Sequence, residues 1–429
     1  MIKVGEKLTS DLGSIEIKQE LGSGTQGVVF LGSRGKNEAP VAVKWYYPEN
    51  QIAPLRKNLE LLVKDGAPSP HFLWPDSVVH SEGQFGYVMA LRDTELASIP
   101  ALMKRLVSTR MSVLVRACIN TVSAFRALHA RGLYYCDISH GNLFFHPKSG
   151  DIKICDNDNV GSDATAPGLV LGTQYYMAPE VVRGEAAPSS RTDHFSLAVL
   201  LFHLLYNGHP LLGARETQIH ALDVLAVRHL CGTSPIYIFD PNDSSNRPVR
   251  GIHDNPIIYR GILPAQIQRV FEQAFTVGLN DQAGRPAFAD WMTALASMED
   301  SLVYCGHCRA ENFARPRLSC WKCHKAVDIP LVLELPRRSL YFRVGAQIFE
   351  DHLSQTSDPG TRGAALAVVV ANPNDPSLLG LQNLSQSRWF LTTDGGSAKE
   401  VEPGRTARLA AGNKISFGAV SGSIRAPRP

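Results

Sequence analysis

The sequence predicts an α+β fold of two lobes, followed by a short segment with paired cysteines and an all-β tail. Strand-like alternation fills residues 14–47, helical periodicity dominates from about 100 to 298, and the helical period is lost after residue 330. A small β-rich part before a large helical part is typical of a bilobal α+β domain. The predicted domains are residues 1–298 (lobes of about 1–92 and 93–298), 301–327 and 330–429.

The composition is that of a folded chain without a strong charge bias. Hydrophobic residues make up 44% of the chain, charged residues 19%, and the formal net charge is +3. So small an excess predicts neither a nucleic-acid nor a membrane partner. The apolar run at 195–206 is too short to span a membrane and predicts a buried helix. The first ten residues lack the apolar run of a signal peptide, and no cysteine framework of a secreted protein is evident, so we expect a cytoplasmic protein.

The first lobe is predicted from its strand signals. "SIEIKQEL", "GVVFLGS" and "VAVKWYY" alternate within residues 14–47, and "FGYVMAL" follows at 85–91. Residues 52–63 carry apolar side chains at helical spacing. A sheet with one intervening helix is therefore expected.

A glycine-rich hairpin opens this lobe. "LGSGTQGVV" contains Gly22, Gly24 and Gly27, and glycines let a hairpin backbone approach phosphate oxygens without a β-carbon in the way. Strands follow instead of the strand and helix of a dinucleotide-binding fold. Lys44 on the next strand is positioned to reach phosphates, and Glu60 in the following helix is the predicted carboxylate partner of Lys44.

A second set of polar residues lies in the helical part. Asp137 and Asn142 are five positions apart in "YYCDISHGNLFF", and Asp156 ends the apolar strand of "IKICDNDN". One carboxylate to orient an attacking hydroxyl, with a carboxylate and an amide to hold magnesium, is what phosphoryl transfer requires.

These motifs together resemble a Hanks-type protein kinase over residues 10 to 297. "GTQYYMAPE" at 172–180 is similar to the end of an activation segment, and "GRPAFADW" at 284–291 to the late Arg-Pro element. The resemblance implies that Arg285 pairs with Glu180 and that Asp193 braces the catalytic-loop backbone. It implies ATP with Mg²⁺ or Mn²⁺, and a nucleotide site lined by Gly22, Gly24, Gly27, Val29, Ala42, Lys44, Met89, Leu91, Asn142 and Asp156.

Several positions depart from the family pattern. Cys136 replaces the arginine that binds a phosphorylated activation loop in the family. Activity should therefore not depend on phosphorylation of the possible sites Ser162, Thr165 and Thr173. Thr173 is expected to have a structural role instead. Tyr135 replaces the histidine, Ser139 replaces a lysine, and the D-F-G motif is Asp156-Asn157-Asp158. Asp158 either adds an acidic group near the metals or faces solvent.

The resemblance implies a serine/threonine kinase acting on a protein, because an activation segment of this type forms a platform for a protein substrate. Two alternatives stay open. One is a pseudokinase that binds ATP and acts as a scaffold. The other is a small-molecule kinase, since enzymes resembling the aminoglycoside phosphotransferases use D-x-x-x-x-N without the lysine.

The cysteine pairs predict a zinc ribbon. "YCGHCRAENF" and "LSCWKCHK" supply Cys305, Cys308, Cys320 and Cys323, which can hold one structural Zn²⁺ through four thiolates. His307 and His324 are adjacent alternative ligands, and a redox pair is the other reading.

The tail more loosely resembles a forkhead-associated (FHA) β-sandwich, mainly over residues 379–418. The phosphothreonine-binding element of that family appears here as Ser385-Gln-Ser-Arg388, without its histidine. A degenerate FHA-like module with another ligand is therefore expected. The architecture resembles bacterial signalling kinases that work beside a von Willebrand A-type protein and a metal-dependent phosphatase, which would be its partners.

Overall fold

The computed structural model describes residues 2–35, 38–162, 171–315, 318–354 and 356–427. The chain forms two compact units. The first contains residues 1–109, 124–247 and 274–285, and the second contains 110–123, 248–273 and 286–429. The units therefore do not follow the sequence-predicted boundary near residue 300: helical segments from before that boundary belong to the same unit as the whole tail.

The N-terminal lobe is a closed six-stranded barrel in the order β1-β2-β3-β4-β6-β5. Its helix α1 (Ala53–Asp65) agrees with the predicted helix over 52–63 and begins with a proline in the first turn. The alternating strands bury apolar side chains inside the barrel, as their period of two requires. The strands are β1 (Lys7–Ser10), β2 (Gly13–Ser23), β3 (Gly27–Arg34), β4 (Ala39–Tyr46), β5 (Ser77–Ser81) and β6 (Gln84–Ala90).

The helical part contains short strands near its start, in the sheets β10-β9-β7 and β11-β8. These strands are β7 (Ala97–Ser98), β8 (Leu133–Tyr135), β9 (Leu143–Phe145), β10 (Ile152–Ile154) and β11 (Val160–Ser162). The helices are α2 (Ile99–Met103), α3 (Met111–His129), α4 (Pro179–Arg183), α5 (Ser190–Tyr206), α6 (Val224–Arg228), α7 (Asp254–Ile262), α8 (Ala265–Phe275), α9 (Val277–Asn280) and α10 (Phe288–Asp300).

Helix α5 confirms the predicted buried helix. It begins with a capping box between Ser189 and Thr192, and it is buried on almost every side. The predicted ion pair between Arg285 and Glu180 is also confirmed, with 2.8 Å between the guanidinium nitrogen Nη2 and Oε2 of the glutamate. Both side chains are buried, so the pair fixes the segment after α9 against α4 in the first unit.

Helix α3 is long and apolar enough, by length and composition, to cross a membrane. However, 72% of its apolar stretch is buried within the protein, as expected for a core helix.

The second unit contains the cysteine-paired segment and the tail. The segment is a hairpin of β12 (Leu302–Tyr304) and β13 (Glu311–Phe313). The carboxylate of Glu311 accepts hydrogen bonds from the backbone N–H and hydroxyl of Ser112, at 2.9 and 2.7 Å. Because those groups belong to the first turn of α3, Glu311 satisfies an otherwise unpaired helix N-terminus.

The tail consists of two sheets around one hydrophobic core, which confirms the predicted β-sandwich architecture. One sheet has the order β15-β14-β23-β22-β19-β20 and the other β16-β17-β18-β21. The elements are β14 (Val332–Glu334), β15 (Ser339–Tyr341), β16 (Gln347–Ile348), α11 (Glu350–Leu353), β17 (Ala367–Ala371), β18 (Leu379–Asn383), β19 (Trp389–Thr392), β20 (Ala398–Val401), β21 (Thr406–Arg408), β22 (Lys414–Ser416) and β23 (Ser421–Arg425).

A buried network of charges joins the tail to the helices of the second unit. Arg362 donates to Asp351 at 2.7 Å and to Glu299 of α10 at 2.6 Å, and Glu299 also accepts from Arg116 of α3. Arg338 donates at 2.7 Å to Asp300, which is also bonded to His352. We call this set the arginine cluster; its members are Arg116, Glu299, Asp300, Arg338, Asp351, His352 and Arg362.

Candidate active site

The β9–β10 hairpin assembles part of the predicted site. Leu143 pairs with Ile154, so Asn142 and Asp156 lie at the same end of the hairpin. The backbone N–H of Cys155 donates to the carbonyl of Asn142 at 2.9 Å. The amide of Asn142 donates to a carboxylate oxygen of Asp137 at 2.8 Å, which leaves its carbonyl oxygen as an acceptor.

Asp137 is held from two sides. Besides Asn142, the hydroxyl of Thr173 donates to its other carboxylate oxygen. This contact confirms the expected structural role of Thr173. Ser162 ends strand β11, whereas Thr165 lies outside the described residues.

The backbone before Asp137 is braced by Asp193, as predicted. A carboxylate oxygen of Asp193 accepts from the backbone N–H of Tyr135 at 2.7 Å. Tyr135 is buried, its ring lies 5.8 Å from that of Phe125, and its hydroxyl donates to the carbonyl of Cys155. The tyrosine, which replaces the family's histidine in the sequence motif, thus ties the loop before Asp137 to the loop before Asp156.

Lys44 reaches this loop from strand β4. Its ammonium group lies 2.8 Å from Oδ2 of Asp158 and 3.3 Å from Oδ1 of Asp156. The side-chain carbonyl of Gln26, in the glycine-rich hairpin, accepts from the same ammonium at 3.1 Å. We call Lys44, Asp156 and Asp158 the lysine cluster.

Asp158 is the most deeply buried member of the lysine cluster. Its side chain is 0% exposed, whereas that of Asp156 is 42% exposed. The hydroxyls of Tyr46 and Tyr87 donate to the Asp158 carboxylate at 2.6 and 3.3 Å. Burial, together with the nearby charge of Asp158, raises the pKa of both phenols well above the usual value, so they stay protonated donors.

The predicted pair between Lys44 and Glu60 is wrong. Glu60 is 53% exposed and bonds instead to Arg56, one helical turn earlier, at 3.0 Å. The α1 side chain that contacts the loop after Asp156 is Asn58, whose amide donates to the carbonyls of Asp158 and Val160. The sequence correctly places Glu60 in the helix after Lys44, but the rotation of α1 about its axis directs the Glu60 side chain to solvent.

The interpretation that Asp158 faces solvent is wrong, because its side chain is completely buried and its carboxylate bonds to Lys44. The other interpretation, an added acidic group near the metals, stays a prediction. The sequence contained one weak signal that Asp158 is the partner of Lys44. Asp158 follows an apolar strand closely, and a buried carboxylate requires a cation nearby. Nothing in the sequence, however, reveals that the side chain is buried.

The lysine cluster carries more negative than positive charge. Burial disfavours the ammonium form of Lys44, but Asp158 and Asp156 outweigh it and raise the pKa of Lys44. Burial raises the pKa of Asp156 as well, helped by Asp158 and opposed by Lys44. A carboxylate whose charge is incompletely compensated is suited to bind a cation.

The glycines of the hairpin have different environments. A β-carbon at Gly27 would lie 2.1 Å from the carbonyl oxygen of Trp45, so this glycine is required by the close approach of β3 to β4. At Gly22 and Gly24 a β-carbon would meet no described atom within 4 Å. Four predicted nucleotide-contacting residues share one hydrophobic cluster that also includes Cys155: Val29, Ala42, Met89 and Leu91.

The other departures from the family pattern are buried. Asn157 donates to the carbonyls of Leu73 and Ile154, so its amide anchors the loop by hydrogen bonds where the family uses a packed phenylalanine. Ser139 is 4% exposed. Burial raises the pKa of the Cys136 thiol to about 12, with Asp193 and Asp137 adding to the effect, so this thiol is unreactive.

The four paired cysteines form a separate candidate metal centre, in the second unit. Their sulfurs all lie within 4.8 Å of one another, and two pairs, Cys305 with Cys323 and Cys308 with Cys320, are 3.6 Å apart. Four thiolates about 2.3 Å from one Zn²⁺ would be roughly 3.8 Å apart. Burial opposes the thiolate of Cys320, but N–H groups of Cys323, Lys322 and Asn312 lower its pKa to about 6. The sulfurs therefore fit a tetrahedral ion.

The Ser385–Arg388 element does not present a free arginine. Arg388 lies 3.5 Å from Glu400 and 3.2 Å from Glu402, and it is largely exposed. Ser385 donates to the side-chain carbonyl of Asn383, which stabilises the turn after β18.

A β-rich lobe with a buried lysine, above a loop with Asp137 and Asn142, defines the protein kinase class. A family model described as the protein kinase domain matches residues 15–249, more than half of the 429-residue chain. The chain therefore belongs to the protein kinase domain family.

Several curated proteins are similar to part of the chain. Serine/threonine-protein kinase shk2 of Schizosaccharomyces pombe is 28% identical over 222 residues, which are 49% of this chain and 36% of shk2. Protein kinase YegI of Escherichia coli is 28% identical over 199 residues, 43% of this chain and 28% of YegI. Serine/threonine-protein kinase STE20 of Saccharomyces cerevisiae is 28% identical over 215 residues, 48% of this chain and 22% of STE20. The chain thus spans about a third or less of the length of these relatives.

Proposed function

We propose that this protein is a serine/threonine protein kinase that transfers the γ-phosphate of ATP to a hydroxyl group of a protein partner. The observation that carries the proposal is the convergence of Lys44, Asp156 and the hydrogen-bonded pair Asp137–Asn142 around one loop. Kinase catalysis consists mostly of positioning and electrostatic stabilisation, and these groups supply both.

Asp137 would orient the attacking hydroxyl and accept its proton as the phosphorus–oxygen bond forms. The bridging oxygen of ATP leaves with ADP, so the products are a phosphoprotein and ADP. Thr173 and Asn142 hold the Asp137 carboxylate in a fixed orientation, which favours an in-line approach of the hydroxyl.

Lys44 would contact the α- and β-phosphates, and the open backbone at Gly22 and Gly24 would allow the hairpin to cover them. The adenine would lie in the cluster of Val29, Ala42, Met89 and Leu91. Mg²⁺ fits the carboxylate of Asp156 and the free amide oxygen of Asn142, and when bound it neutralises phosphate charge. Mn²⁺ accepts the same ligands.

The acceptor is proposed to be serine or threonine in a protein, because relatives such as shk2 and STE20 are named as serine/threonine-protein kinases. The β-sandwich is proposed as an FHA-like recruitment module. A von Willebrand A-type protein and a metal-dependent phosphatase remain the proposed partners. Since Arg388 is already paired with two glutamates, recruitment would use a ligand other than phosphothreonine.

Zinc is proposed for the cysteine site. The hairpin contributes only a small apolar cluster around Val303, Leu318 and Val327, so a bound ion would supply much of its stability. We expect one zinc per chain by atomic absorption in the wild-type protein. A Cys320→Ser variant should lose most of this zinc while retaining ADP binding.

The kinase proposal is tested by transfer of radiolabelled phosphate from ATP to a generic protein substrate and to the chain itself. Asp137→Ala should abolish transfer while keeping affinity for ADP. Asp11→Ala, in the exposed turn before β2, is the matched control and should transfer at the wild-type rate.

Equal transfer by wild type and Asp137→Ala, or transfer by neither, would overturn the enzyme proposal. Nucleotide binding without transfer would favour a pseudokinase, for which the buried Ser139 in place of a lysine is the relevant observation. Transfer to small alcohols in preference to proteins would favour a small-molecule kinase.

A further inference from the structure

We propose that Asp158 is the positioning residue for Lys44, in the role that a glutamate of the first helix has in other protein kinases. This inference deepens the proposed function and rests on it. Asp158 touches neither the reacting hydroxyl nor, in this proposal, the nucleotide. It would act only by holding the ammonium group where it can meet the phosphates.

The contacts of Asp158 favour such a role. Both carboxylate oxygens lie within hydrogen-bond distance of the Lys44 ammonium, at 3.1 and 2.8 Å, and the side chain is completely buried. Tyr46 and Tyr87 donate to the same carboxylate from neighbouring strands. The carboxylate is therefore fixed by rigid β-structure, and an ion pair held in this way is well ordered.

Helix α1 contributes no carboxylate to Lys44. Among the described residues, the side chains within hydrogen-bond distance of the ammonium are Gln26, Asp156 and Asp158. Glu60 is exposed and pairs with Arg56. The neutral amide of Asn58, also in α1, donates to the backbone carbonyls of Asp158 and Val160.

The arrangement places the lysine partner and a proposed metal ligand on one short loop. Asp156 and Asp158 are separated only by Asn157, whose buried amide is bonded to the carbonyls of Leu73 and Ile154. A kinase that holds its lysine with a helix-borne glutamate loses the pair when that helix rotates. Here the pair does not include α1, so we infer that lysine positioning is independent of a carboxylate on that helix.

The test compares Asp158→Asn with Glu60→Gln in the full-length protein. Both changes remove one carboxylate charge while keeping side-chain size. Asp158→Asn should lower kcat/KM for ATP about a hundredfold, because a misplaced group costs on this order, and should weaken Mg·ADP binding. Glu60→Gln should stay within twofold of wild type in both measurements.

A double-variant cycle separates positioning from simple structural support. In the Lys44→Met background, Asp158→Asn should change Mg·ADP affinity by less than twofold, because Asp158 acts through Lys44. If Asp158→Asn fails to fold in a urea melt, Tyr46→Phe replaces it. Loss of one donor to the carboxylate should then lower kcat/KM about fivefold.

Several outcomes would overturn the inference. The first is a wild-type kcat/KM in folded Asp158→Asn or, if that variant fails to fold, in Tyr46→Phe. The second is a loss of kcat/KM in Glu60→Gln as large as that in Asp158→Asn. The third is a further tenfold loss of Mg·ADP affinity when Asp158→Asn is added to Lys44→Met. Failure of the proposed kinase function can be distinguished from failure of this inference. If the wild-type protein binds Mg·ADP but transfers no phosphate, the Mg·ADP affinities of the variants still test whether Asp158 positions Lys44.

Discussion

The lysine cluster and the arginine cluster both contain buried charges, but they differ in the balance of positive and negative groups. The arginine cluster contains three guanidinium groups and three carboxylates: Arg116, Arg338 and Arg362 with Glu299, Asp300 and Asp351. The lysine cluster has one ammonium for two carboxylates. The guanidinium groups and carboxylates of the first are equal in number, whereas the second has one carboxylate more than it has cations.

The pKa directions follow this difference. Burial opposes ionisation of Asp351, but the hydrogen bonds and charge of Arg362 hold its pKa below the usual value. Asp156 has its pKa raised by burial and by Asp158 in spite of Lys44. Removing one member of a matched buried set leaves an uncompensated charge and destabilises the fold, whereas an unmatched carboxylate leaves room for a cation.

The largest expected effect comes from removing the centre of the balanced cluster. Arg362→Met leaves Asp351 and Glu299 buried with fewer partners, so the free energy of unfolding of the second unit should fall by about 3–5 kcal/mol. Urea denaturation measures it. Arg388→Met, which breaks an exposed pair in the same sandwich, should cost about 1 kcal/mol or less. Similar losses for the two variants would show that burial of the cluster is unimportant.

The same Asp→Asn substitution in each cluster should change the free energy of unfolding in opposite directions. Asp351→Asn should lower the free energy of unfolding by about 2 kcal/mol, because charged hydrogen bonds to two arginines are weakened. Asp156→Asn should raise it by a few tenths of a kcal/mol, a small gain because this carboxylate is partly exposed and screened. Denaturation without magnesium compares them, and destabilisation by Asp156→Asn would contradict the charge-balance argument.

Acid should affect the two clusters in opposite directions. The pKa values of Asp351 and Glu299 are lowered in the fold, so their stabilisation is present above the unfolded pKa values and is lost as pH falls through the folded ones. As pH falls from 4 to the folded pKa of Asp351, this carboxylate should lower the free energy of unfolding by about 1.4 kcal/mol per pH unit. The raised pKa of Asp156 acts oppositely, since its charged form costs stability as pH rises. An acid limb of equal slope in wild type and Asp351→Asn would contradict this assignment.

Stabilisation by ligand is expected to be smaller than the losses in Arg362→Met and Asp351→Asn. Mg·ADP at five times its Kd should add about 1 kcal/mol to the unfolding free energy of the first unit, by mass action. Asp156→Asn should remove most of this gain, whereas Asp351→Asn should keep it. Thermal denaturation with and without Mg·ADP measures both, and an undiminished gain in Asp156→Asn would argue against Asp156 as a metal ligand.

Local patterns predicted much of the architecture. Alternation gave the strands of the first lobe, helical spacing gave α1 to within two residues at either end, and the apolar run at 195–206 lies in the buried helix α5. These features depend on side chains close in sequence, so a single chain contains enough information for them. The pairing of Arg285 with Glu180 and the bond from Tyr135 to Asp193 followed instead from resemblance to the kinase family.

The sequence by itself determined which chemical groups are available: a lysine on β4, the Asp137–Asn142 loop, four acidic or amide residues after β10, and four paired cysteines. Only the tertiary structure decided how they are paired. The rotation of α1 exposes Glu60, while the fold buries Asp158 against Lys44, Tyr46 and Tyr87. The tertiary structure likewise joined Arg116 and Glu299 with Arg362 of the tail into one compact unit. The physical reason is that a charge's partner is selected by burial and distance in space, and neither is encoded in local spacing.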